Sequence, residues 1–541
     1  MELLKSNQKA VVKEAIDRQL QSGGLSLPLG FGKTRTSICL GLQYNCGKIL
    51  VVVSKTLLAG WIQELEKAFG KDFPVEIMHK TYLKKTYGMW KPKDDTKVVL
   101  TTHETLSAGY KEYNIDALFI NYVIPKTFGP TILQYLPPKS PMLVDHVGAG
   151  YLFSIKWGCL IIDEIQTCNN ILTDKCRSIA CVSSTYRWGL SGTMFDEPKP
   201  ERFLGYFIML HIKGANTLPD MKRELKSTFT GFKKYLIART DNTEFVDRPE
   251  YIEEIVTHTL DTNEAKIFEV SREVLKELAT IVKQKKHEGD VEGRRKFGAY
   301  ILALITYIRQ FAICPIIPIA SIYCDIADFS EKSELSKILS EKFKKINIDK
   351  WLDGEESILS SRFKSIVEKI KTHKGERILV FSCFRTTITL FQDILNKQGY
   401  TTFTISATHS TDKRKTILEK FAESDGGIML LPYSVGAEGL NLQCASVVMV
   451  MDLWWNCSKI QQAIGRAFRP GQTAPRVHVY MFVSNTQMEN ELIKKNQLKQ
   501  EILQELENGP SKKTFPRMSK EKIMDIIGVD INQHYLRSIR T

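Results

Sequence analysis

A chain of 541 residues is long enough for several domains with full cores, and its 43% hydrophobic and 25% charged content is that of an ordinary globular protein. Lys and Arg outnumber Asp and Glu by 75 to 61, and the resulting charge of +14 suits a polyanionic partner such as nucleic acid. No apolar run approaches the ~18 residues of a membrane span, and the eleven cysteines, of which Cys159, Cys168, Cys176 and Cys181 lie closest together, lack the C-x-x-C knuckles of a zinc site and read as free thiols in a reducing compartment.

The chain opens on an amphipathic helix, MELLKSNQKAVVKEAIDRQL, without the apolar core of a signal peptide. Gln8 in that helix has an amide suited to reading an adenine edge. The string L-P-L-G-F-G-K-T follows, from Leu27 to Thr34, and opens a helix, TRTSICLGLQ. Gly30, Phe31, Gly32, Lys33 and Thr34 form a candidate phosphate cradle. Backbone N–H groups at a helix N-terminus point at phosphate, Lys33 reaches the β- and γ-phosphates of ATP, and the Thr34 hydroxyl sits on Mg²⁺. The strict pattern has Gly where this chain has Leu27.

Short β-branched runs predict strands at 49–53, 98–102, 160–162 and 188–191. The third ends in Asp163 and Glu164, which places two carboxylates at the C-terminal edge of a sheet, where α/β sites lie. Asp163 is the expected Mg²⁺ residue and Glu164 the group that polarises the attacking water. Ser191, Gly192 and Thr193 follow the fourth strand and could link the carboxylates to a second lobe. The Pro- and Gly-containing stretch 121–150 reads as a long surface loop.

From about 262 to 314 the apolar spacing of Ile267, Val270, Val274, Leu275 and Leu278 predicts a helical hairpin. A second set of apolar runs, at 378–381, 402–405, 428–431, 447–451 and 477–482, predicts a second parallel sheet. A glycine-rich loop containing Ser434, Val435 and Gly436 follows one of them and suits close approach to a phosphate backbone. Gln462, Gly465, Arg466 and Arg469 are expected on one helix, with both arginines on one face. Guanidinium groups supplied across a cleft stabilise charge on a transferring phosphoryl group. A cradle at one end of the chain and arginines at the other therefore predict an ATP site shared by two lobes. The expected division is 1–245, 246–350 as a helical protrusion and linker, 351–500, and a helical or flexible tail at 501–541.

The ordered strings LKSNQ, LGFGKT, VVVSKTLLAGWIQEL, LTTHETL, CLIIDEIQTCNN, GLSGT, ILVFSCF, SVGAEGLNLQCAS and WWNCSKIQQAIGRAFRPGQ resemble the SWI/SNF-type DNA translocase family of superfamily-two helicase-like ATPases. The resemblance runs from about residue 3 to 500. It departs at Gln166, where the family has His, and at Ser54 and Met194, where Pro is usual. It implies an α/β fold of two tandem RecA-like parallel-sheet lobes with helical insertions between them and a short helical C-terminal tail. It also implies a DNA-stimulated ATPase using ATP and Mg²⁺, with Gln462 and the 191–193 turn coupling hydrolysis to movement. Sequence-tolerant contacts to double-stranded DNA would come from Trp61, Thr101 and Thr102 in the first lobe, and from Phe384, Arg385, Ser434, Val435 and Gly436 in the second. A polymerase or another DNA-bound protein would be the partner acted on, with no role for a membrane, in a nucleus or in a viral factory or virion. A strand-separating DNA or RNA helicase, a viral transcription-associated nucleoside triphosphatase and a nucleic-acid scaffold without hydrolysis are the alternatives. The compact form resembles versions carried by large DNA viruses.

Overall fold

Two parallel sheets organise the chain, one in each of two compact units whose main bodies are Met1–Val246 and Asp247–Lys499. The structure is a computed structural model, and it describes residues 3–28, 30–112, 148–192, 194, 200–212, 233–239, 249–327, 333–348, 352, 358–406, 408–436, 440, 442–454, 457–468 and 471–508. Most of the loop expected at 121–150 lies outside these residues, as does the tail beyond 508. No helix among the described residues is long and apolar enough to cross a membrane.

The first unit contains β1 (Ser22–Ser26), β2 (Ile49–Val53), β3 (Val75–Met78), β4 (Val98–Thr102), β5 (Trp157–Ile162), β6 (Ser184–Ser191) and β7 (Leu236–Ala238), in the order β3-β4-β2-β5-β6-β1-β7 with every pairing parallel. Alternate strand residues enter opposite cores. Leu50, Val52, Leu160 and Ile162 pack on one face, whereas Ile49, Val51, Val53, Cys159 and Ile161 pack on the other. A sheet buried on both faces explains why these strands read as continuous apolar runs rather than as alternating ones. The runs predicted at 160–162 and 188–191 are the C-terminal parts of longer strands, β5 and β6.

The second unit contains β8 (Glu250–His258), β9 (Ile378–Ser382), β10 (Thr402–Thr404), β11 (Ile428–Pro432), β12 (Val447–Val450) and β13 (Arg476–Ser484), ordered β10-β11-β9-β12-β13-β8 and again parallel. The predicted helical hairpin is present as helices Thr262–His287 and Val291–Phe311. Asp261 caps the first through the N–H groups of Asn263 and Glu264, and Asp290 caps the second through Gly293. Ile267, Leu275, Leu304 and Phe311 of the hairpin share a core with Leu339 and Phe343 of helix Ser333–Lys345. It belongs to the second unit.

Candidate functional site

The chain leaves β1 at Ser26 and turns at once. The Leu27 N–H donates to the Ser191 carbonyl at 2.9 Å, which ties the start of the loop to the end of β6. Gly30 and Gly32 both have left-handed backbones, with φ of 79° and 86°. A Cβ on Gly32 would stand 2.4 Å from Gln8 Nε2, so glycine is required there by both backbone and space. Helix Lys33–Gln43 begins next, with Gly32 as its N-cap, and its first-turn N–H groups form the anion-facing end. Lys33 Nζ donates back to the Leu27 and Pro28 carbonyls at 3.1 and 3.4 Å. Thr34 is buried beside it.

Gln8 bears directly on this loop. Its Nε2 donates to the Phe31 carbonyl at 2.6 Å, and its Oε1 accepts the Lys5 N–H at 3.0 Å. Only 4% of the residue is exposed. The amide braces the cradle from inside. Phe31 lends the loop its backbone while its ring lies in the core.

Asp163 and Glu164 stand where β5 ends. Asp163 is buried; its Oδ2 accepts the Trp61 indole N–H at 2.7 Å and its Oδ1 accepts the Glu164 N–H at 3.0 Å. Burial and the neighbouring Glu164 carboxylate push the Asp163 carboxyl up, against the pull of the Trp61 N–H and the Lys33 ammonium. Asp163 thus lies within reach of the Lys33 ammonium's charge. Glu164 is half-buried and has a left-handed backbone (φ 47°, ψ 46°), the kind of strained non-glycine residue that clusters at functional sites. The Gln166 amide donates to the Glu164 carboxylate, and Gln166 Oε1 is buried without a partner among the described residues. A buried hydroxyl from Thr34 and a buried carboxylate from Asp163 are hard oxygen donors of the kind that Mg²⁺ takes together with phosphate oxygens.

His103 continues the arrangement beneath Asp163. Its Nε2 lies 3.3 Å from the Asp163 carbonyl and its Nδ1 lies 3.3 Å from Cys168 Sγ. The carbonyl can only accept, so Nε2 carries the proton. Sequence reasoning missed this residue, although it sits inside the LTTHETL string.

Three residues expected at a nucleic-acid surface are turned inward. Trp61 is 4% exposed and engages Asp163. Thr101 and Thr102 are fully buried at the end of β4, where Thr101 Oγ1 donates to the Met78 carbonyl and the Thr102 hydroxyl pairs with that of Thr105. The three side chains face the interior of the first unit in this structure. Ser191 is likewise buried, Gly192 is half-buried, and Thr193 lies outside the described residues. Met194, in place of the usual Pro, is buried and fills the space over Gly24 of β1.

In the second unit Arg385 and Ser434 are exposed at the C-terminal ends of β9 and β11, Phe384 is half-buried, and Val435 is buried. Gly436 closes a short helical turn, Tyr433–Gly436. The helix carrying Gln462 is Cys457–Ile464, so Arg466 falls in the turn after it rather than on the helix, because Gly465 breaks the run. Arg466 is 8% exposed. Arg469 lies outside the described residues.

A parallel-sheet unit with a phosphate cradle and an acidic pair at one edge, followed by a second parallel-sheet unit, defines a helicase-type nucleotide-binding core. Two family models match in that order: "Type III restriction enzyme, res subunit" over residues 2–196 and "Helicase conserved C-terminal domain" over 361–471. The chain is 24% identical to "Putative helicase 172L" of Invertebrate iridescent virus 6, over 94% of this chain and 89% of that one. It is 23% identical to "Protein CHROMATIN REMODELING 24" of Arabidopsis thaliana, over 89% of this chain but only 44% of that longer protein. The helicase domain of Hef from Pyrococcus furiosus shares its fold, at a TM-score of 0.52 and 16% identity over 90% of this chain and 97% of that one. The chain is thus similar, over most of its length, to helicases and to a chromatin-remodelling protein, in line with the resemblance of its motifs to the SWI/SNF-type helicase-like ATPases.

Proposed function

We propose that the chain hydrolyses ATP to ADP and phosphate and uses the cycle to translocate along duplex DNA, where it displaces or remodels bound proteins. The observation that carries the reading is the grouping of Lys33, Asp163 and Glu164 at one sheet edge, in a chain that two helicase-type family models match in order. In this reading the cradle N–H groups and Lys33 hold the β- and γ-phosphates. Thr34 and Asp163 would hold Mg²⁺, which neutralises phosphate charge when bound. Glu164 orients and polarises the attacking water, and Gln166 holds its carboxylate in place. Arg466 and Arg469 supply positive charge to the transferring phosphoryl group. Gln462 and the 191–193 turn couple hydrolysis to movement.

The net charge of +14 and the likeness to a chromatin remodelling protein of Arabidopsis thaliana support a DNA substrate. The loops that carry Phe384, Arg385, Ser434, Val435 and Gly436 are proposed to follow the backbone, with Arg385 and Ser434 exposed. The place of action is wherever that DNA is kept, a nucleus or a viral factory.

The test is the ATPase rate with no nucleic acid, single-stranded DNA, duplex DNA and RNA in parallel. Duplex DNA is expected to stimulate most, with affinity falling by orders of magnitude between ~50 and ~200 mM salt. Glu164→Gln retains ATP and stops turnover, whereas Lys33→Ala loses affinity as well as rate. Equal rates under all four conditions, or turnover by Glu164→Gln within a few-fold of the parent, overturn the reading. Strand displacement by the parent on a duplex without bound protein would turn it toward the helicase alternative.

A further inference from the structure

We infer that Trp61 is a positioning residue for the metal-binding carboxylate, a role that rests on the nucleotide-site reading of Lys33 and Asp163. Trp61 is the fourth residue of helix Leu58–Phe69, which follows β2, and β2 pairs directly with β5, whose end carries Asp163. The indole ring is packed in the core with Leu58, Leu65, Val53 and Leu100, so its direction is set by neighbours on several elements. From that fixed ring a single N–H reaches Asp163 Oδ2 at 2.7 Å, with both residues at least 95% buried.

The other restraints on Asp163 are of a different kind. Its N–H donates to the Val52 carbonyl at 2.9 Å and its carbonyl faces His103, which together fix the main chain. Among the described residues, Oδ1 accepts from the next residue along the chain, Glu164, at 3.0 Å. A carboxylate held at Oδ1 alone can still swing about its Cα–Cβ and Cβ–Cγ bonds. The Trp61 bond closes the second point and fixes the plane. Each carboxylate oxygen has two lone pairs and accepts one hydrogen bond from the described residues, which leaves one lone pair on each for a hydrated cation. An indole suits this task because its N–H is a donor only. It cannot bind the cation itself, it carries no charge that would repel one, and its apolar body keeps water from competing for Oδ2. Partners of this type, one step removed from a metal, typically alter metal affinity by about 10–100-fold when removed.

The experiment replaces the N–H and keeps the ring. Trp61→Phe is the simple variant. Site-specific incorporation of benzothienylalanine, in which sulfur takes the place of the indole N–H, preserves the bicyclic shape and covers the case in which Phe leaves a destabilising gap. Two quantities are read for each: the Mg²⁺ concentration that half-saturates ATP hydrolysis, and the thermal shift produced by ADP with Mg²⁺ against ADP with chelator. The expected result is a rise of about 10-fold or more in half-saturating Mg²⁺, with loss of most of the Mg²⁺-dependent part of the shift. The metal-free ADP shift stays at the parent value, because the cradle is untouched. A role confined to packing would lower the melting temperature of the ligand-free protein and leave both Mg²⁺ readouts alone. Half-saturation within twofold of the parent in a folded variant overturns the assignment to Trp61 while leaving the nucleotide site intact. A parent protein that neither turns over ATP nor is stabilised by Mg²⁺ with ADP overturns the nucleotide-site reading itself, and this inference falls with it.

Discussion

Burial holds the His103 imidazole down at about 4, from the usual 6.5, although its contacts with the Glu104 carboxylate and the Asp163 carbonyl pull the other way. The folded protein keeps it neutral while the unfolded chain protonates it at the ordinary value. Its contribution is therefore present above pH 6.5 and is lost as pH falls from 6.5 through 4, by about 1 kcal/mol at pH 5.5 and about 3 kcal/mol below pH 4. The expected outcome is a melting temperature of the first unit that falls on acidification. In His103→Asn the fall from pH 7.5 to 5.5 becomes shallower, as calorimetry at the two pH values would register; an equal fall in both proteins places the acid sensitivity elsewhere. His103 also marks the limit of what single residues disclosed in the sequence. The loop glycines, Lys33 and the Asp163–Glu164 pair were legible because their chemistry is local: a turn, a helix start, a strand end. Trp61, Thr101 and Thr102 were not, because spacing along the chain carries no information on whether a side chain faces solvent or a neighbouring strand. Each is buried in the structure, and the Trp61 N–H engages Asp163.

At the scale of elements, β1 reads S-G-G-L-S and carries almost no strand signal. Its glycines are imposed by neighbours: a Cβ on Gly23 would stand 2.2 Å from the Tyr235 carbonyl, and one on Gly24 would stand 2.8 Å from Met194 Cε. The strand exists because β6 and β7 flank it on both sides, which is tertiary context overriding propensity. β8, E-Y-I-E-E-I-V-T-H, is hidden for the opposite reason, since an edge strand can carry charge that a central one cannot. The helical hairpin was legible from its apolar spacing, but its attachment was not. Arg309, near the end of helix Val291–Phe311, donates to the Leu453 carbonyl at 3.1 Å and to Cys383 Sγ at 3.3 Å. Its guanidinium lies 5.2 Å from the Phe384 ring centre and 6.0 Å from that of Trp454. One side chain thus pins the hairpin to the turns after β9 and β12, beside the exposed Arg385. Arg309→Ala is expected to cost the second unit about 2 kcal/mol, from one carbonyl bond to a charged donor and two ring contacts. Arg309→Lys recovers little, because an ammonium cannot stack on two rings while donating in a fixed plane. Urea unfolding of the three proteins measures this, and a lysine variant as stable as the parent would reduce Arg309 to a point charge.

At the scale of the whole molecule, the acidic pair and the cradle lie in Met1–Val246, whereas Arg466 and Arg469 belong to Asp247–Lys499. A motor of the proposed kind needs residues of both units for each turnover, and a single-unit hydrolase does not. The two differ in how hydrolysis responds to DNA. Arg469 is the discriminating position: it lies far in sequence from Lys33 and is not among the groups proposed to hold nucleotide or to follow the DNA backbone. An arginine supplied to a phosphoryl transfer is worth ~10³–10⁵ in rate. Arg469→Ala is therefore expected to bind ATP analogues and duplex DNA about as the parent does while losing nearly all DNA-stimulated hydrolysis. Basal hydrolysis falls less, because in this reading the arginine acts chiefly in the DNA-stimulated state. The measurement is the ATPase rate with and without duplex DNA, alongside binding of each ligand, for parent and variant. A folded Arg469→Ala protein with undiminished stimulation would mean that the first unit hydrolyses ATP without this arginine. The proposal that nucleotide chemistry in one unit drives movement through the other would then lose its chemical basis.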